Sequence, residues 1–318
     1  MARLPGERMA RKNPPIFGEW RDPIEKKIDQ TLEANFDRDE ANKIVKYMFR
    51  SGGKRCRPLL AILTTEAFGV DGEKALDAAA AIEIIHAATL VFDDLVDKDK
   101  VRRGIPTAHM AFSNEKALTS GLFLASKGVQ LLSNYKNPEV MRMIGSSLVD
   151  VSKGELLDIL SDRSASVSEC IAIADLKTAS LFASAAGIGA AVAGVEGKDL
   201  VGMQKYGRYS GMAFQIRDDM LDFEDGSAEQ SLGGPNIVTS HCIHEAPRPN
   251  NYSDKLKTND LPSRQVIRIL RETGSLKFAT GKAQEYATNS KNALRSVKRL
   301  RNRKTLEEFA DYLWKRRE

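Results

Sequence analysis

The chain has 318 residues, 42% of them hydrophobic and 29% charged, with a formal net charge of +5. That balance can bury a large core and excludes a disordered chain. The mild basicity suits anionic partners but does not choose between nucleic acid, a membrane surface and phosphorylated small molecules.

In chain order, residues 1–20 carry basic residues and prolines without an apolar core. They read as a flexible basic arm and not as a secretory signal. Residues 21–318 read as one domain. "DEANKIVKYMFRS" places Ile44, Val45, Tyr47 and Met48 on one helical stripe. "CRPLLAILTTEAFG" predicts a helix closed by Gly69. The Ala-rich stretch 72–97 has no Gly or Pro after its first residue and predicts a long helix. Further helices are expected at 114–135, 137–160, 168–195, 198–223, 263–290 and 303–316.

Within that list, "TASLFASAAGIGAAVAGV" (178–195) is uncharged and imitates a membrane span. Its Ala, Gly and Ser make it weakly hydrophobic and suited to close helix packing, so a buried core helix is the expectation, with no membrane span. No strand alternation, βαβ rhythm or fixed-period repeat is visible. The fold class is therefore all-α, a single large helical bundle. Residues 224–262, rich in Gly, Pro, Asn and Ser, read as a long loop with room for a short helix. Three scattered cysteines, Cys56, Cys170 and Cys242, make no disulfide framework and point to a reducing, cytoplasmic setting.

Chemistry concentrates in two acidic stretches. In "LVFDDLVDKDKVRRG" (90–104), Asp93 and Asp97 fall one helical turn apart with Asp94 beside them. In "GMAFQIRDDMLDF" (211–223), Asp218, Asp219 and Asp222 repeat the spacing. Alone, either stretch is more often a solvated helix face. A solvated face explains neither the apolar run before each nor the repetition. Carboxylates this close raise each other's pKa unless a cation lies between them, and Mg²⁺, which keeps phosphate in its shell, suits such oxygen donors. Basic residues supply the other half of a phosphate site. Arg102 and Arg103 follow the first cluster, and "SGGKRCRP" (51–58) offers Lys54, Arg55 and Arg57 on a Gly–Gly turn. A diphosphate held by Mg²⁺ and by direct charge accounts for both sets.

In sequence order, "GGKRCRP", "DDLVDKDKVRRGIPTAH", "KGELLD", "KTASL" and "GMAFQIRDDMLD" resemble the trans-polyprenyl diphosphate synthase family over roughly residues 40–235. The resemblance implies an all-α bundle around a central cavity, a homodimer, and condensation of an allylic diphosphate with isopentenyl diphosphate, releasing pyrophosphate. It implies that Asp93, Asp97 and Asp218 bind several Mg²⁺ ions, with Asp94, Asp219 and Asp222 in support. Arg102, Lys177, Thr178 and Gln215 then hold the allylic diphosphate. Lys54, Arg57, His86 and Arg103 hold isopentenyl diphosphate. Upstream of the first aspartates, where short-chain members often carry aromatic residues, this chain has Ala88 and Thr89. A geranylgeranyl or longer product, C20 or more, is the expectation, with Phe123 a candidate for closing the cavity lower down.

The pattern departs from the family after the second cluster. A Gly–Lys pair is usual there; this chain has Gly233–Gly234, leaving Lys255 or Lys257 as possible substitutes. A noncatalytic subunit of a synthase and a terpene cyclase are the alternatives; intact acids weigh against the first, and the Lys54–Arg57–Arg103 set against the second. Individually, His86 on an apolar face could be a core histidine, Lys177 and Thr178 a helix start, and Gln215 a buried amide. "SHCIHE", with His241, Cys242 and His244, has zinc-type donors, but a lone trio in a loop is usually chance. Nucleic acid is not expected, because no aromatic platform accompanies the basic tail.

Overall fold

Apolar residues at helical spacing yield helix nearly throughout the computed structural model, which describes residues 18–33, 35–50, 52–162, 164–224, 234–246, 256 and 261–316. The N-terminal part comprises α1 (Arg21–Leu32), α2 (Asp39–Tyr47), α3 (Cys56–Ala67), a 3₁₀ turn (Gly72–Ala75) and α4 (Leu76–Val96). A hairpin of β1 (Val101–Arg102) and β2 (Ile105–Pro106) follows, then α5 (Ala108–Ala111), α6 (Asn114–Leu132), α7 (Pro138–Leu160) and α8 (Val167–Ala174). A π-helical turn (Asp175–Ala179) leads into α9 (Ser180–Val192) and α10 (Gly197–Glu224). The chain finishes with α11 (Ile237–His244), α12 (Ser263–Glu272), α13 (Ser275–Arg295) and α14 (Arg303–Lys315).

α4 is apolar almost all round, and Ala78 to Ile82, Ile84 and Ile85 are fully buried, so it runs through the core with no solvent face along that stretch. α9 is the second core helix. Its small residues admit close neighbours: a Cβ on Gly207 of α10 would come within 2.4 Å of the Phe182 carbonyl. Both helices belong to stretches long and apolar enough to cross a membrane, yet 67% of an apolar 18-residue window in each is buried inside the protein. The expected core helix at 178–195 is borne out in that sense.

Three expectations need correction. The single helix expected at 168–195 is α8, the π-helical turn and α9. The helix expected at 263–290 breaks at Gly274, whose φ of 76° lies in the left-handed region that glycine tolerates. After the first acidic cluster the chain forms a hairpin, because Arg103 and Gly104 adopt φ of 51° and 81°, the pattern of a two-residue type I′ turn. Only the glycine signals that turn, and α1 has no counterpart among the elements expected from periodicity. Within the expected loop 224–262, α11 supplies the short helix, and Leu256 is buried. Residues 1–17, Gly233, Lys255 and Lys257 lie outside the described residues.

Candidate active site

The ends of α4 and α10 border one cavity of about 480 Å³, lined by Asp93 of the first helix and by Asp218 and Asp219 of the second. Both acidic groups sit at helix C-termini, where the dipole repels anions. Carboxylates gathered there are held by cations, and the cavity wall supplies them.

At the first cluster, Lys177 Nζ lies 2.7 Å from Asp93 Oδ1, 2.9 Å from Glu155 Oε2 and 2.6 Å from Asp158 Oδ2. Burial alone depresses the ammonium, but Asp93 and Asp158 outweigh it and raise the Lys177 pKa. The π-helical turn that carries Lys177 and Thr178 is the kind of local irregularity that re-aims side chains at sites. Gly154 of α7 makes room for that turn, since a Cβ there would stand 2.5 Å from the Lys177 backbone nitrogen. From the hairpin, Arg102 donates to Asp94 Oδ1 at 2.5 Å and to Asp93 Oδ2 at 3.3 Å. Asp94 is buried, and it lines a small pocket beside the main cavity. Asp97 caps α4, is exposed and is not among the cavity-lining residues; partial desolvation together with the Asp93 charge pushes its carboxyl up to about 6.

At the second cluster, Asp218 Oδ1 faces Lys54 Nζ at 3.4 Å and Arg316 Nη2 at 2.6 Å. Asp219 Oδ1 accepts from Gln215 Nε2 at 2.8 Å, and its Oδ2 accepts from the Ile237 backbone N–H at 3.3 Å, at the start of α11. Thr178 in turn donates to Gln215 Oε1 at 2.7 Å. A polar chain thus runs from the π-helical turn through Gln215 to α11. Asp222 lies in the last turn of α10, and its side chain is outside the described residues.

Lys54, Arg57, His86 and Arg103 all line the cavity, as the sequence suggests. Arg57 is 8% exposed, its guanidinium 4.6 Å from the Phe182 ring centroid and its Nη1 3.1 Å from His86 Nε2. Burial first, and then Arg57 and Arg103, hold the His86 pKa well below the ordinary histidine value. Neutral His86 therefore accepts from Arg57 and leaves that guanidinium charged. Arg103 donates to the Gly52 carbonyl, tying the hairpin to the Gly–Gly turn. Arg55, also read as a phosphate cation, has a different task. Although it borders the cavity, it pairs with Glu83 at 2.6 Å and Glu25 at 2.9 Å, a buried ionic junction that pins the turn to α1 and α4.

Of the two residues assigned to product length, Thr89 lines the cavity, whereas Ala88 is 1% exposed among Ile84, Ala87 and Leu124. The Phe123 ring packs at a tilt against Phe36, centroids 4.8 Å apart, outside the cavity lining. In α11, His241 bonds Ser275 Oγ at 3.0 Å and His244 bonds the Ser164 carbonyl at 2.8 Å. The zinc-type trio does not converge, and among the described residues no three His, Cys, Asp or Glu side chains enclose a metal by themselves. Each acidic helix end offers a partial set of oxygens. That suits Mg²⁺, which completes its shell with phosphate and water.

The Polyprenyl synthetase family model matches residues 38–235. The chain is 30% identical to octaprenyl diphosphate synthase of Escherichia coli K12 over 276 residues, 82% of this chain and 85% of that protein. It belongs to the polyprenyl synthetase family. The members are prenyltransferases that condense an allylic diphosphate with isopentenyl diphosphate. The chain is also 29% identical to geranylgeranyl diphosphate synthase of Methanosarcina mazei over 307 residues, 91% of this chain and 94% of that one. Among solved structures, geranylgeranyl pyrophosphate synthetase from Geoglobus acetivorans superimposes with a TM-score of 0.82 at 28% identity, covering 93% and 98% of the two chains. A polyprenyl synthase from Caulobacter crescentus CB15, complexed with calcium and isoprenyl diphosphate, gives 0.83 at 26% identity, covering 93% and 94%.

Sequence reasoning assigns no role to Glu155, Asp158, Phe214 or Arg316. For the first two a signal exists: they stand three residues apart in "KGELLD", on one helical face. Arg316 has no local signal, because its partner lies on another helix.

Proposed function

We propose that the chain extends an allylic diphosphate with isopentenyl diphosphate to a product of C20 or longer. The observation that carries this reading is that acids from two helix ends line one cavity, with Lys54, Arg57, Arg102, Arg103 and Lys177 around them. Mg²⁺ bound at Asp93, Asp97 and Asp218 would neutralise diphosphate oxygens and favour departure of pyrophosphate.

The chain's own residues account for the rest. Lys177, Arg102, Thr178 and Gln215 hold the allylic diphosphate; Lys54, Arg57, His86 and Arg103 hold isopentenyl diphosphate beside it. The allylic C1–O bond breaks heterolytically, and its electron pair leaves on pyrophosphate, whose growing charge the cationic side chains stabilise. The isopentenyl double bond attacks the allylic cation, and the resulting tertiary cation loses a proton to the released pyrophosphate. Leu90, Val151, Ile173 and Leu181 on the cavity wall limit the water that would otherwise trap the cation. Small Thr89 on the wall leaves room for a growing tail, whereas Ala88, buried away from the cavity, does not bear on it directly.

Exposed Leu118 and Leu122 on α6, with Val149, Leu156, Ile159 and Leu160 on α7, offer an apolar surface that supports a homodimer. A cytoplasmic enzyme without a nucleic-acid partner fits the buried cysteines and the small-molecule cavity.

Incubation of the purified chain with labelled isopentenyl diphosphate, C5 to C20 allylic primers and Mg²⁺ tests the reading. Prenyl products of C20 or more are expected; no incorporation with any primer contradicts catalysis, and a sharp C15 stop contradicts the cavity assignment.

A further inference from the structure

The last described residue of the chain, Arg316, reaches into the second acidic cluster. Its side chain is 2% exposed, with Nη2 2.6 Å from Asp218 Oδ1. The guanidinium lies 4.0 Å from the centroid of the Phe214 ring, and it donates to the Phe214 carbonyl at 3.1 Å and the Leu313 carbonyl at 3.1 Å. The backbone is clamped as well: Arg217 Nε donates to the Arg316 carbonyl at 2.8 Å. Residues 214, 217 and 218 of α10 thus grip one residue just beyond α14. Lys54 shares the arrangement, 3.4 Å from the same Asp218 oxygen and 5.6 Å from the same ring. Two cations therefore converge on one oxygen of a carboxylate that the proposed function assigns to Mg²⁺.

That arrangement has an electrostatic consequence. Without diphosphate, a divalent ion approaching Asp218 meets a carboxylate already neutralised by Arg316 and Lys54. An incoming diphosphate adds negative charge and restores the attraction without any movement of Arg316. We propose that Arg316 restrains cation binding at the second acidic cluster until a diphosphate is present, so that this residue, just beyond α14, sets the order of loading. The inference rests on the reading that Asp218 receives a cation, but it does not require turnover.

The test measures Mn²⁺ binding to the full chain by the electron paramagnetic resonance of free Mn²⁺, with and without inorganic pyrophosphate. An Asp93→Asn, Asp97→Asn background confines binding to the second cluster. Arg316→Met, which keeps the apolar stem over Phe214, should tighten Mn²⁺ binding in the absence of pyrophosphate by roughly three- to tenfold, allowing for solvent screening at Asp218. The gain on adding pyrophosphate should shrink by the same factor, and Arg316→Lys should resemble the parent. Unchanged or weaker Mn²⁺ binding in Arg316→Met, or equal behaviour of the Met and Lys variants, overturns the proposal. If circular dichroism shows that Arg316→Met does not fold, Arg316→Gln decides by the same comparison. Since the titration needs no catalysis, a chain that makes no product but shows the Mn²⁺ effect fails as a synthase and keeps this role for Arg316.

Discussion

At the end of α4, Asp93 takes a cation from Arg102, nine residues along the chain, whereas at the end of α10 Asp218 takes one from Lys54, 164 residues away. The first cluster draws on its own hairpin and on the π-helical turn. The second is assembled from the Gly–Gly turn, Arg316 just after α14 and the start of α11. Both place acids where a helix dipole disfavours them, and both depend on imported positive charge. The contrast teaches that the first cluster combines a nearby hairpin arginine with Lys177 from a distant helix, while both cations of the second come from distant parts of the chain.

The largest effect should come from Lys177→Ala, which leaves Asp93, Glu155 and Asp158 facing one another. Turnover should fall by about a thousandfold through lost electrostatic stabilisation. Thermal unfolding should show a loss of about 2 kcal/mol, below the fully buried range because the lysine keeps some solvent contact. An equivalent change at the second cluster, Lys54→Ala, should act mainly on KM for isopentenyl diphosphate, because Arg316 still holds Asp218. Equal kcat losses in the two variants would erase the distinction.

Arg55→Met sharpens the comparison from the structural side. It strands Glu83 and Glu25, so unfolding in denaturant should show a loss of about 3 kcal/mol. At temperatures where the variant stays folded, kcat should change less than in Arg57→Met. A large kcat effect without destabilisation would return Arg55 to the substrate. Gly154→Ala presses a methyl against the backbone of the π-helical turn and should cost about 1–3 kcal/mol. Activity should drop through Lys177 while Mn²⁺ binding at the second cluster is unchanged.

A smaller effect is expected from pH. The Asp97 carboxyl is raised to about 6, so a proton competes with a divalent cation at the first cluster as pH falls through that value. Mn²⁺ affinity there should weaken progressively below about pH 6. In the cation-free protein the same raised value means that the Asp97 contribution to stability is fully present below its unfolded value and is lost as pH rises through about 6. A fall in thermal midpoint between pH 4 and 7 that is smaller in Asp97→Asn than in the parent checks the sign.

Much of this was legible in the sequence because both acidic stretches carry their spacing within a single turn, and helical periodicity locates the helices that present them. Thr178, Gln215 and His86 were also placed in the cavity by motif alone. What the sequence did not reveal is physical in origin. The Arg103–Gly104 turn places an arginine in the left-handed region, where residue preference gives little warning. The π-helical turn depends on the packing of Gly154 against Lys177. Arg55 and Arg57 are two positions apart with the same charge, and only the acids on α1 and α4 decide which one turns inward. Arg316 meets Asp218 through tertiary packing alone.

Anomalous diffraction from crystals grown with Mn²⁺ and inorganic pyrophosphate tests the central claim most directly. Manganese coordinated by Asp93 and Asp97 on one side and by Asp218 on the other, with pyrophosphate oxygens between, is the expected result. Manganese at only one acidic end, or pyrophosphate bound outside the cavity, would contradict a site shared by the two helices.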